Sequence, residues 1–157
     1  MNDKSSFGVV KIDTTFALQE TMDKILACNK YTEKYGLLLT KQQAIALSQT
    51  HISALRENKR IEFRGGIVDK LILAFCDSPY ISKNDYEDTI HDLINLFYEL
   101  KDNTWETISD KDLIEFMKHS FNNYCHGSKE LLYEIVLRLS EHIHCGKSII
   151  TFKIRED

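Results

Sequence analysis

The stretch Ile61-Glu-Phe-Arg-Gly-Gly-Ile-Val-Asp-Lys-Leu-Ile-Leu-Ala-Phe-Cys-Asp-Ser-Pro-Tyr-Ile81 decides the fold. It holds the one Gly-Gly pair and the one proline of the chain. Between them Ile67, Val68, Leu71, Ile72 and Phe75 recur at helical spacing, and Leu73 and Ala74 widen the stripe. A helix over about 67–75, apolar almost all round and therefore central, is predicted. Gly65-Gly66 launches it. Ser78-Pro79 ends it, because proline has no N–H to continue the ladder and drives the preceding residue towards extended geometry. On the N-terminal side Ile61 and Phe63 alternate with polar residues, which predicts a short extended piece.

Working outward, helical patterns flank this segment on both sides. A helix is predicted from about Thr15 to Tyr35, capped by Asp13, Thr14 or Thr15 and striped by Phe16, Leu18, Met22, Ile25 and Leu26, with Gly36 as its left-handed stop. Thr40-Lys-Gln-Gln43 reads as a capping box for a second helix to about Asn58. Beyond the proline, Ser82-Lys-Asn-Asp85 caps a helix to about Lys101 that faces Tyr86, Ile90, Leu93, Ile94, Phe97 and Leu100 inward, with Tyr98 flanking. Ser109-Asp-Lys-Asp112 opens another to about Asn123. Gly127-Ser128 precedes a last one over about Lys129 to His144, stopped by Gly146. Trp105 falls in a loop, where it is expected to seal the core edge. The fold class is mainly α: about six helices packed as an irregular single-domain bundle over 1–157, with 1–12 a frayed end or an edge strand. Short extended pieces near 7–12, 59–63 and 148–154 are candidates for a small sheet whose pairing the sequence leaves open.

The 157 residues are 43% hydrophobic and 28% charged, which suits a globular protein. The net charge of −4 is unevenly spread: residues 1–75 carry 11 Lys/Arg against 8 Asp/Glu, and residues 76–157 carry 9 against 16. Ten of those acids lie in 77–112 with only Lys83, Lys101 and Lys111 among them. Phosphate backbones need a concentrated basic surface, so this distribution argues against a nucleic-acid partner. The opening Met1-Asn-Asp-Lys-Ser-Ser-Phe7 has no apolar core of a secretory signal, and no apolar run approaches the ~18–20 residues that cross a bilayer. A cytoplasmic setting is expected, with Cys28, Cys76, Cys125 and Cys145 as thiols.

Four constellations carry potential chemistry. Arg64, Gly65 and Gly66 stand where a helix begins, so backbone N–H groups and a guanidinium there could hold a phosphate or carboxylate. Neither the Gly-x-x-x-x-Gly-Lys-Ser/Thr nor the Gly-x-Gly-x-x-Gly pattern is present, and a turn with a surface ion pair explains the same residues. Cys76 is a candidate reactive thiol if His51 or His91 reaches it, but a helix C-terminus and Asp77 both disfavour its thiolate. Cys125-His126 and His142-Ile-His144-Cys145 have the right types for zinc. The last predicted helix separates the two groups by about 20–25 Å at ~1.5 Å per residue, so no metal site is read. The acidic segment 85–112 places Asp88 and Asp92 one helical turn apart, which suits either a solvated face or a surface for a basic protein partner. No catalytic triad or cofactor motif is read.

Leu39-Thr40, Arg60-Ile-Glu-Phe-Arg-Gly-Gly66, Lys70-Leu-Ile72, Ala74-Phe-Cys-Asp-Ser-Pro-Tyr-Ile81 and Asp112-Leu-Ile-Glu-Phe-Met117 together resemble an uncharacterised family of clostridial-type bacterial domains, over about residues 37–140. The resemblance implies a bacterial, cytoplasmic origin and no activity, cofactor or catalytic residue. The preferred expectation is a non-enzymatic interaction or regulatory module. The alternatives are a small-anion binder or enzyme centred on Arg64-Gly65-Gly66, and a thiol enzyme using Cys76. Oligomeric state is left open.

Overall fold

The computed structural model describes residues 3–62 and 66–154, with side chains from residue 16 onward. Six helices follow one another: α1 (Asp3–Thr32), α2 (Lys41–Glu57), α3 (Val68–Phe75), α4 (Tyr86–Asn103), α5 (Asp110–Asn123) and α6 (Lys129–His144). Short 3₁₀ turns at Glu33–Tyr35, Lys83–Asp85 and Ile149–Thr151 trim three of the connections. The result is a compact all-helical bundle.

The helix starts follow from local chemistry. The Thr40 hydroxyl accepts from the Gln43 amide at 3.1 Å while the Gln43 side chain accepts from the Thr40 amide at 2.8 Å, so two of the amides left over at the start of α2 are satisfied. Ser109 accepts from the Asp112 amide at 3.1 Å, and Ser128 from the Leu131 amide at 3.2 Å. Gly36 and Gly146 take left-handed φ of +75° and +81° just past α1 with its 3₁₀ turn and past α6. That conformation costs glycine nothing and releases the chain from the helix.

The core forms where the stripes meet. α4 packs on α2, α3, α5 and α6, and α3 on α1, α4 and α5, so the predicted central helix shares that place with the longer α4. Ile67, Val68, Leu71, Ile72 and Phe75 are all buried, as are Ile90, Leu93, Ile94, Phe97, Tyr98 and Leu100. The Phe75 and Phe121 rings meet edge-on at 5.5 Å, an arrangement favoured by the aromatic quadrupole.

The sheet expected from three extended pieces is not formed: no strand occurs among the described residues. Residues 7–12 lie within α1, which begins at Asp3 rather than near Thr15. Residues 148–154 contain the Ile149–Thr151 turn. Of the 59–63 piece, Lys59 to Glu62 form a connection held by side chains, with Ile61 84% exposed while Arg60 and Glu62 turn inward; Phe63 lies outside the described residues. The alternation was real, but its polar members face the protein. Phe16, placed in the α1 stripe, is 75% exposed; Met22 and Ile25 of that stripe are buried as expected, joined by Thr21, Cys28 and Thr32. Trp105 does not seal the core. It is 61% exposed and stacks on His144 at 4.3 Å.

Candidate functional site

The polar side chains gather in two places. The first lies where the connection after α2 meets α4. His51 sits on the inward face of α2, one turn beyond Leu47, and is almost fully buried. Its Nε2 lies 3.0 Å from the Tyr98 hydroxyl, which donates to Glu62 Oε1 at 2.5 Å. Because the single Tyr98 proton goes to the carboxylate, His51 Nε2 must donate to Tyr98, which leaves Nδ1 as the atom without a partner among the described residues. Arg60 continues the network, with Nε 3.7 Å from Glu62 Oε2 and a terminal nitrogen donating to Glu106 Oε1 at 2.9 Å.

Gly66 makes this convergence sterically feasible. Its φ is +61°, and a Cβ there would overlap the Glu62 carboxylate and come within 2.6 Å of His51 Nε2. Beside it opens a cleft of about 380 Å³ whose wall includes Arg60, Glu62, Gly66, Lys70, Lys101 and Asp110. Lys101 is nearly buried and spends its ammonium on the Ile108 carbonyl and Asp110, both at 2.8 Å. Desolvation works against the Glu62 carboxylate, but the His51 ring 3.6 Å away, the hydrogen bond from Tyr98 and the Arg60 charge outweigh it, holding its pKa below the ordinary value. Burial, followed by the bond to Glu62, drives the Tyr98 phenol far above its usual pKa, so it remains a donor.

The second place is a groove of about 540 Å³ between α4 and α6. Leu93, Leu96 and Leu132 form its floor, and Asp92, Glu99, Glu130 and Glu134 stand along it. Lys129, the one cation among the described residues of the groove, is bound to Asp92 at 2.6 Å. That hydrogen bond, with Asp88 and Asp85 close by, raises the Lys129 pKa. Tyr133 is 43% exposed at the groove and its hydroxyl donates to Glu99 at 3.3 Å.

The sequence candidates fall as follows. Arg64 and Gly65 lie outside the described residues; Gly66 lines the first cleft. Cys76 is buried at the end of α3, and its thiol donates to the Leu73 carbonyl at 3.3 Å. Burial first, then Asp77, raise its pKa. Burial pushes the Cys28 thiol up to about 11, with Asp69 and Cys76 adding to it, and raises Cys125 as well. Cys145 alone is exposed. His126 pairs with the Tyr80 hydroxyl at 3.0 Å, while His144 contacts the Asn103 carbonyl at 2.5 Å. Among the described residues no group of three or more His, Cys, Asp or Glu is arranged to hold a metal ion.

A Thr-His-Glu chain went unread in the sequence: Thr50 Oγ1 is 2.6 Å from His91 Nδ1, and His91 Nε2 is 2.9 Å from Glu87 Oε2. The order suits an activated hydroxyl, but Thr50 sits inside α2, where the helix ladder occupies the backbone amides. Neither cleft is lined by these residues. They link α2 to α4. His51 and His91, considered in the sequence only as bases for Cys76, pair with Tyr98 and Thr50 instead; the place of His51 four residues after Leu47 on an apolar stripe marks it as an inward polar group.

An all-helical protein with a buried polar network and an acid-lined groove is therefore the class that fold and surface define. The chain belongs to the family of unknown function DUF6323, whose model matches residues 24–148. That span includes every groove and cleft residue named above. No curated protein and no solved structure matches the chain. No helix among the described residues is long and apolar enough to cross a membrane.

Proposed function

We propose that the chain is a single non-enzymatic interaction module of the bacterial cytoplasm that recruits a protein partner through the acidic face carried by segment 85–112. One observation carries the reading. The outward carboxylates of α4, Asp88, Asp92 and Glu99, share a surface with Glu130 and Glu134 of α6, and among the described groove residues only Lys129 offsets them there. Like charges grouped on one surface repel each other, and a basic partner relieves that repulsion while being steered to it. The buried thiols support the non-enzymatic part, since their raised pKa values keep them protonated near neutral pH.

In-cell crosslinking tests this proposal. The wild-type chain is expected to capture a discrete partner that Asp88→Asn/Asp92→Asn/Glu130→Gln/Glu134→Gln loses. Equal capture by both proteins refutes it.

A second reading, small-anion binding at the Gly66 cleft beside Arg64 and Gly65, is favoured by donors that the network leaves unspent. Arg60 Nε is buried without a hydrogen bond, and Lys70 has no ion-pair partner among the described residues. Titration with inorganic phosphate should then shift the amides of 66–70 saturably; unshifted amides sink the idea.

A further inference from the structure

The acidic face has a shape as well as a charge, and the shape narrows the partner. α6 packs on α4 and α5, and its outer side keeps Tyr133 43% and Leu137 37% exposed, one helical turn apart. Next to Tyr133 the groove sinks to the buried side chains of Leu93, Leu96 and Leu132. Leu93 and Leu96 lie on one face of α4, as i and i+3 positions do. Two roughly aligned helices with an open seam present ridges and a furrow into which the ridge of a third helix can settle. The floor is apolar and the rim is carboxylate, so the complementary element is apolar along one stripe and basic on both sides of it.

Resting on the interaction reading above, we infer that the α4–α6 groove docks a lysine- or arginine-rich amphipathic helix of a partner protein. Apolar anchors at i and i+3 or i+4 would fill the depression of about 540 Å³ over Leu93, Leu96 and Leu132. Its cations would meet Asp92, Glu99, Glu130 and Glu134 along the edges. Lys129 stays paired with Asp92 and marks the end of the groove at the start of α6. Charge complementarity selects this occupant over an acidic or neutral helix, which would desolvate the rim carboxylates without compensation.

The test uses the full chain and a synthetic helix of about 18 leucines and lysines, with leucine at i, i+3, i+4 and i+7. A scrambled peptide of the same composition and an oligolysine of the same length serve as comparisons. Fluorescence anisotropy gives affinities and amide shift mapping gives the location. The amphipathic peptide is expected to bind at least about tenfold tighter than either comparison, to shift α4 and α6 amides, and to weaken between ~50 and ~300 mM salt. Glu130→Lys/Glu134→Lys should weaken it by about tenfold or more, and Tyr133→Ser by roughly fivefold. Glu33→Lys, an exposed control outside the groove, should leave affinity unchanged, and circular dichroism verifies the fold of each variant. Equal binding by all three peptides, or shifts outside α4 and α6, overturns the helix-groove inference while the acidic-face reading survives. Failure of every cationic peptide to bind overturns both. Self-association that the α6 charge reversals abolish, without amphipathic-peptide binding, shows the groove to be filled by a second copy and also overturns the inference.

Discussion

Replacing Gly66 by alanine probes the polar network at its tightest point. Two costs are expected. The left-handed φ of +61° costs a residue with a Cβ about 1 kcal/mol. The added methyl also meets the Glu62 carboxylate and the His51 ring, and the ring cannot retreat because His51 is buried. The carboxylate must move instead, breaking its bond from Tyr98 and leaving a buried phenol donor and a buried imidazole N–H poorly matched. Losing such a charge-assisted bond costs about 2 kcal/mol. The total is about 3 kcal/mol. Gly146 supplies the control: it has a similar φ of +81°, and a Cβ there meets nothing within 4 Å. Gly146→Ala should therefore cost only the backbone share, about 1 kcal/mol. Urea unfolding followed by circular dichroism measures both. The reasoning fails if the two substitutions destabilise equally, because the close approach of Gly66 to His51 and Glu62 would then carry no energy.

Other outcomes follow from the same geometry. Glu62 has a depressed pKa in the folded state, so its share of stability is present above its ordinary value of 4.5 and is lost as pH falls through the folded value. Glu62→Gln should flatten the acid limb of a stability–pH curve, and an unchanged limb contradicts this. With a thiol reagent near neutral pH, Cys145 should react at once and Cys28, Cys76 and Cys125 only on unfolding; fast labelling of Cys76 in the folded protein would instead favour a thiol activity. Thr40→Ala removes a reciprocal cap and should lower unfolding stability by about 1 kcal/mol. No loss would mean that the start of α2 is held by packing alone. His144→Ala should increase the emission of Trp105, the single tryptophan, by removing its stacked partner; unchanged emission would argue against the stack in solution.

Helix boundaries were legible where the signal is local. The caps at Thr40 and Ser109 and the stops at Gly36 and Gly146 depend on a few neighbouring residues, and the sequence shows them. The stripe of α3 was legible for the same reason. Between Lys59 and Glu62 the period was readable but the direction was not, because Glu62 turns inward only where Tyr98 and His51 await it from other parts of the chain. The cleft beside Gly66 depends on that same convergence. The groove was half legible: the acids of α4 stood out as a charge run, but their alignment with Glu130 and Glu134 is set by how α6 packs. Trp105 was misjudged because its backbone takes a left-handed φ of +54°, followed by +58° at Glu106, which aims the indole away from the core.

The side chain of Asn29 also bears on the order of assembly. Its amide donates to the Leu39 carbonyl at 2.9 Å and accepts from the Leu39 N–H at 3.0 Å, closing a loop of only ten residues. Short loops cost little chain entropy, so the hairpin of α1 and α2 is a cheap contact for a nascent chain to make. The junction of Arg60 with Glu106 spans 46 residues and can lock only after α3 and α4 are in place. In amide exchange the α1–α2 turn should then outlast the connection after α2, which opens first on the way to the unfolded state.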